Sequence, residues 1–583
     1  MIKRNYKNWT INTETKSLLF FAQRLDEALF HYTSEKYKSP VLYSSSSCLE
    51  VLETISQYEK NIWPFKTIET VYAEFKSIFL KDDTAKTLVG DIYKYYLLDL
   101  KDNNLNKIKS NLELLYLKIK PIKYFQHVKS QLISEISSTK KNIEIEKLIY
   151  RLIASLTDIG YSQEHIYYIS SQFFFKNTRI DSVSILYDFF NLFDLGINEY
   201  DIYMKVNSLF QQIEEACKRF NIEIVSKEAI TLESQKKIEL TNSSVLVKIN
   251  NIKAYDPHSA KRIANVTLAK ICDLFTFFHH KQRIVSGDMA VVFNKNAKTE
   301  VILPNKISAM SKGFDFYPKV AAYRLDEMLR KFDLEPNSLI RFNRSIDIHG
   351  VAIDNIYPEN QLQNNWTAIE SLIGNNKKDS IINNILSSLI PILNFEYNKR
   401  IFINLATDIE RTKDKNLISI INKVDVGDKL YEKLAALVTI TKYLPISKEL
   451  FNSQEEFPLL NYRIFWLNKH LKNPKSVAEF INIHTEKVEW HIRRIYRARN
   501  LIIHAGKIPK SIERLVESSH SYLDDLLNII MSLSVNGQQI QTIEHAVDEI
   551  IIRNKMHKDY LNQNKDTEYN KTNYINILWG EYI

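Results

Sequence analysis

Trp490-His491-Ile492-Arg493-Arg494-Ile495-Tyr496-Arg497-Ala498-Arg499-Asn500-Leu501-Ile502-Ile503-His504-Ala505-Gly506 is the stretch on which the reading of this chain turns. Val488, Ile492, Ile495 and Ile502 recur at steps of three, four and seven residues, the spacing of one apolar face of an α-helix. Arg499 lies on that face, four residues after Ile495. A guanidinium cannot shed its charge, so on a packed face it must meet a carboxylate, a backbone cluster, a phosphate or a subunit boundary. His504 follows, and Gly506 and Pro509 are stop signals for the helix. At about 100° per residue, Arg499 and His504 stand roughly 140° apart if the helix is unbroken. Either the helix ends near Ile503, or the pair belongs to a site shared between copies.

Spacing alone does not single out this pair. An Arg followed by a His after four to six residues also occurs at Arg24/His31, Arg344/His349, Arg463/His470, Arg497/His504 and Arg514/His520. Only at Arg499 does an Asn directly follow the Arg, with the aromatic residues Trp490 and Tyr496 before it and helix-stop residues beyond the His.

The run Tyr496-x-x-Arg499-Asn500-x-x-x-His504-x-Gly506, with Trp366-Thr-Ala-Ile-Glu370-Ser-Leu372 earlier in the chain, resembles the HEPN superfamily, particularly the Apea-like HEPN proteins associated with bacterial phage defence. The resemblance covers the C-terminal part and leaves the N-terminal half without one. It implies an all-α domain that dimerises and brings Arg/His motifs together in a cleft that cuts RNA without a metal. On this resemblance Arg499, Asn500 and His504 are the catalytic motif, with Glu370 and Tyr496 in support. Some HEPN toxins carry a Tyr two residues after the His, which a partner nucleotidyltransferase modifies. Gly506 stands there, so neutralisation by that route is not expected.

The residue types suit the reaction. Metal-free cleavage of RNA uses the 2′-hydroxyl as nucleophile, so protons must move and charge on the phosphate oxygens must be stabilised. His504 suits the first task, because an imidazole, whose unperturbed pKa is about 6.5, can accept or donate a proton near neutrality. The planar fork of Arg499 grips two phosphate oxygens while charge builds up. Asn500 is placed to orient the His or the ribose. Arg493, Arg494, Arg497 and Lys507 read as either a solvated basic face or RNA-phosphate contacts. The resemblance implies products with 2′,3′-cyclic phosphate and 5′-hydroxyl ends.

Composition sets the frame. The chain has 583 residues, 45% hydrophobic and 25% charged, with only 11 Gly and 13 Pro, which favours long helices. A formal charge of +9 is a mild bias toward nucleic acid. Cys48, Cys217 and Cys272 are too few and scattered for a disulfide framework or structural zinc site, and the expected compartment is the cytoplasm. The first residues lack the apolar segment of a signal peptide, and no run approaches the ~18 apolar residues of a membrane span. No membrane partner is expected.

The expected fold is mainly α and multidomain. Residues 1–230 read as a helical regulatory or sensor region, with helices at Lys16–Tyr32 and Val128–Leu156. Residues 231–315 read as a small α/β module: a strand at Ser244–Ile249, a helix from Asp256-Pro257 to about His280, and a hairpin of Met289–Phe293 with Glu300–Leu303. Residues 316–545 form the HEPN bundle, with helices at Asn365–Ile373, Glu486–Ile503 and Ser511–Leu533. Residues 546–583 form a C-terminal helix and a tail whose apolar end docks on the domain's own core.

Other chemistries leave no trace. No Gly-rich phosphate loop or nucleophile-elbow serine occurs, and His279-His280 lacks further ligands at metal spacing. No metal and no cofactor are expected. The resulting expectation is a dimeric, metal-independent HEPN endoribonuclease, a regulated effector of phage defence that answers a phage-derived trigger by cutting host RNA such as tRNA. The alternatives are a non-catalytic RNA- or protein-binding scaffold and a nucleotide-sensing regulator.

Overall fold

The computed structural model describes residues 4–30, 40–138, 142–305, 307–311, 316–374, 380–534 and 540–580. Helices dominate, as the scarcity of Gly and Pro predicts, with 26 α-helices and a single five-stranded sheet among the described residues. No helix among them is long and apolar enough to cross a membrane. The chain divides into two compact units, Asn5–Phe30 with Leu42–Ile307, and Ser308–Ile583 with the short segments Met1–Arg4 and His31–Val41.

In the first unit the Lys16–Leu29 helix is buried on every side from Ser17 to Leu29, so its polar residues need internal partners. Arg24 finds them in Glu27 at 2.9 Å and Glu146 at 2.8 Å. The segment expected as one helix from Val128 to Leu156 is two, Pro121–Ser138 and Asn142–Ile159. Tyr32, the expected end of the first helix, lies outside the described residues.

The sheet corrects the all-helical reading of residues 1–230. Its strands are β1 (Asn198–Asn207), β2 (Ile222–Val225), β3 (Ser244–Ala254), β4 (Ser286–Asn294) and β5 (Thr299–Pro304), in the antiparallel order β2-β3-β1-β4-β5. β1 is central, and its alternate residues Tyr200, Ile202, Met204 and Val206 join Val247, Ile249 and Val292 beneath the Pro257–Phe278 helix through Ala260, Ala264 and Leu268. The other face buries Tyr203, Leu246 and Val291 with Ile230 and Ile238. Asp256 caps the Pro257–Phe278 helix by accepting from Ser259 N at 2.8 Å. The expected β3 strand, this helix and the β4–β5 hairpin are all present.

The second unit is all-helical among its described residues. Its main core gathers apolar residues from Pro336–Asp354, Pro358–Ile373, Ile381–Phe395, Pro474–Ala505, Ile512–Leu533 and Ile543–Gln563, with Trp366 among the largest fully buried side chains. The 32-residue Pro474–Ala505 helix lays Val488, Ile492, Ile495 and Ala498 into that core. It begins before the expected Glu486 because Asn473 accepts from Ser476 N at 2.9 Å and Pro474 takes the first turn. The tail docks as expected: Tyr574–Trp579 forms a short helix with Tyr574, Ile577, Leu578 and Trp579 buried. Asn398 Nδ2 donates to Leu578 O at 2.9 Å, which fixes it.

Candidate active site

The Pro474–Ala505 helix and the Pro358–Ile373 helix run together through the core, and their polar residues form the candidate site. Trp366 inserts its ring against Tyr496, with ring centroids 5.5 Å apart. Burying an indole requires an acceptor for its N–H, and Trp366 Nε1 donates to Glu370 Oε1 at 2.6 Å. This bond aims the second carboxylate oxygen at Arg499, whose Nη2 lies 3.9 Å from Glu370 Oε2. Arg499 Nη1 donates to Asn500 Oδ1 at 3.0 Å. The arginine on the apolar stripe thus meets a carboxylate. The guanidinium is still not saturated: Nε is buried and has no hydrogen-bond acceptor among the described residues.

His504 stands apart from this group. Among the described residues no hydrogen bond or ion pair joins it to Arg499, Asn500 or Glu370, and its side chain is exposed. The helix runs on through His504 to Ala505. It stops where Gly506 adopts φ +60°, with Gly506 N bonding to Ile502 O at 3.2 Å and Lys507 N to Leu501 O at 3.3 Å. An early helix end near Ile503 is therefore ruled out as the means of bringing Arg499 and His504 together, and they project roughly 140° apart around one continuous helix.

The basic run divides by burial. Arg494 and Arg497 are only 6% and 7% exposed, and both are engaged within the chain, which corrects their reading as surface contacts for RNA. Helical geometry turns them toward neighbouring helices, while Arg493 is half-buried and bonded to Glu489 at 2.8 Å. Lys507, beyond the helix end, is exposed. Of the four expected cations it alone has an open side chain.

Two features escaped the sequence reading. His491, within the quoted stretch, is half-buried, and its Nδ1 lies 2.9 Å from Tyr522 Oη on the Ile512–Leu533 helix. Burial, aided by the charge of Arg494, pushes its pKa down to about 3, so the ring is neutral at ordinary pH. The second is a cluster of His349, His520 and Asp524, whose ligand atoms lie within 4.8 Å of one another. His520-x-x-x-Asp524 is visible in sequence as one helix face, but His349 comes from another helix, and nothing local signals that convergence.

Comparison with protein-family models, curated proteins and solved structures found no match.

Proposed function

We propose that the chain is a metal-independent endoribonuclease of the HEPN type, acting through Arg499 and His504 in a cleft made by two copies. One observation carries this reading: Arg499 is set on Glu370, which Trp366 fixes in turn, while its buried Nε has no acceptor among the described residues. A half-buried guanidinium with donor capacity to spare is suited to a phosphate oxygen. His504 takes the 2′-hydroxyl proton as O2′ bonds to phosphorus. Arg499 of the other copy donates to the non-bridging oxygens, and the P–O5′ bond breaks as O5′ receives the proton from the imidazolium that His504 has become. The products are a 2′,3′-cyclic phosphate and a 5′-hydroxyl. The cellular role that fits is a regulated defence effector cutting host RNA such as tRNA, since an unrestrained ribonuclease poisons its host.

The separation of His504 from Arg499 within the chain favours a second reading, an RNA-binding domain that does not cut. The two readings part on product chemistry. Wild type, Arg499→Ala and His504→Ala, each checked for folding by circular dichroism, are incubated with total RNA and tRNA in EDTA. The nuclease reading expects cyclic-phosphate ends from wild type and at least ~100-fold slower cutting by each variant. Binding without cutting by wild type, including in extract of phage-infected cells, supports the scaffold. Equal cutting by all three removes Arg499 and His504 from the chemistry.

A further inference from the structure

We propose that His349, His520 and Asp524 bind a divalent first-row transition ion of the zinc type, which ties the Pro336–Asp354 helix to the Ile512–Leu533 helix. The site is separate from Arg499 and does not depend on the nuclease reading. Two imidazoles and one carboxylate form a borderline-soft donor set that suits such ions. Asp524 Oδ1 lies 3.9 Å from His349 Nε2, and Asp524 Oδ2 lies 3.6 Å from His520 Nε2. Both separations exceed ordinary hydrogen-bond length. They lie close to the ~3.4 Å that separates two ligand atoms of a tetrahedral ion with bonds of about 2.0–2.1 Å. With a single oxygen of Asp524 the three ligand atoms lie within 4.8 Å of one another, so side-chain shifts on the order of 1 Å would close the set.

The scaffold holds this convergence. His520 and Asp524 stand one helical turn apart on a 22-residue helix whose buried stripe, including Leu515, Leu523, Leu526 and Ile530, is packed in the core. His349 approaches from the facing helix, where neighbouring Ile348 and Ala352 are anchored in the same core. The two rings lie 5.1 Å apart at 36°. Side-chain exposures of 16% for His349, 5% for His520 and 19% for Asp524 describe a sheltered set with an edge open to solvent. Three protein ligands leave a fourth position for water. Tyr522, on the same helix, meets His491 of the Pro474–Ala505 helix, so an ion here would also steady the helix that carries Arg499.

The full chain, stripped with chelator and dialysed, is titrated with zinc against a chromogenic chelator, and cobalt is added separately to record its ligand-field absorption. The variants are His349→Ala, Asp524→Asn, which keeps the side-chain shape, and His545→Ala, an exposed histidine elsewhere in the unit. The proposal expects one zinc per wild-type chain with Kd of about 1 µM or tighter, and tetrahedral-type cobalt bands. It also expects a melting rise of about 5 °C at hundredfold excess over Kd. Affinity falls at least about tenfold in His349→Ala and Asp524→Asn and is unchanged in His545→Ala. Failure of wild type to take up zinc, or equal uptake by folded Asp524→Asn, overturns the proposal.

Discussion

At the scale of the residue, Arg499 depends on a relay. Trp366 needs an acceptor, Glu370 supplies it with one oxygen, and the other faces the guanidinium. Glu370→Gln keeps an acceptor for the indole and removes the charge. Because the ion pair is partly solvated, stability should move by less than about 1 kcal/mol, while RNA cleavage falls about tenfold as Arg499 loses its support. Glu370→Ala also strands the indole N–H and should cost about 1–3 kcal/mol in urea unfolding. If the two variants cleave like wild type, Glu370 has no part in the site.

His491 sets a pH dependence. Its native pKa, about 3, lies below the ~6.5 of the unfolded chain, so under acid the unfolded state binds more protons. The contribution of this neutral histidine is fully present above pH 6.5 and is lost as pH falls toward 3. At pH 5, His491→Gln should lose about 2 kcal/mol less stability than wild type, relative to each protein at pH 7. Parallel unfolding curves at both pH values would refute this. The need for a partner at Arg499 was legible because it lies on an apolar stripe. The burial of Arg494 and Arg497 was not, because a local charge run does not reveal the helices packed around it.

At the scale of the element, the Pro474–Ala505 helix carries both the packing and the proposed chemistry. Ile492 is fully buried, and Ile492→Ala should cost about 2–5 kcal/mol. Gly506 has φ +60° with no atom within 4 Å of where a Cβ would sit. Gly506→Ala should therefore cost only the left-handed backbone penalty, about 1–2 kcal/mol by thermal unfolding; a larger loss would mean that the helix end packs in some way beyond this cap. The helix was readable in sequence through its apolar spacing and its stop signals. β1 was missed although Tyr200, Ile202, Met204 and Val206 alternate correctly. Its other face carries Asp201, buried and paired with Lys248 of β3 at 3.0 Å, a long-range compensation that local polarity conceals.

At the scale of the whole molecule, the two compact units decide how the regulatory proposal should be tested. Cutting after residue 230 would remove β1 from between β3 and β4, and a fragment starting there should be poorly soluble because the sheet loses its centre. A fragment beginning at Ser308 keeps the helical core almost intact and should unfold cooperatively, losing only small contributions such as that of Val41. If the preceding unit restrains the nuclease, this fragment should cut RNA without the trigger required by the full chain. A folded fragment with the same activity and toxicity as the full chain would end the regulatory proposal.

The central claim is that Arg499 and His504, set roughly 140° apart on one helix, work across two copies. The most direct measurement is RNA cleavage by Arg499→Ala and His504→Ala proteins co-expressed in equal amounts, beside each variant alone and wild type. If Arg499 of one copy acts with His504 of the other, each mixed dimer contains one intact site, and random pairing should restore about a quarter of wild-type activity. A mixture as inactive as either variant alone, with mixed dimers shown to form, would contradict the account.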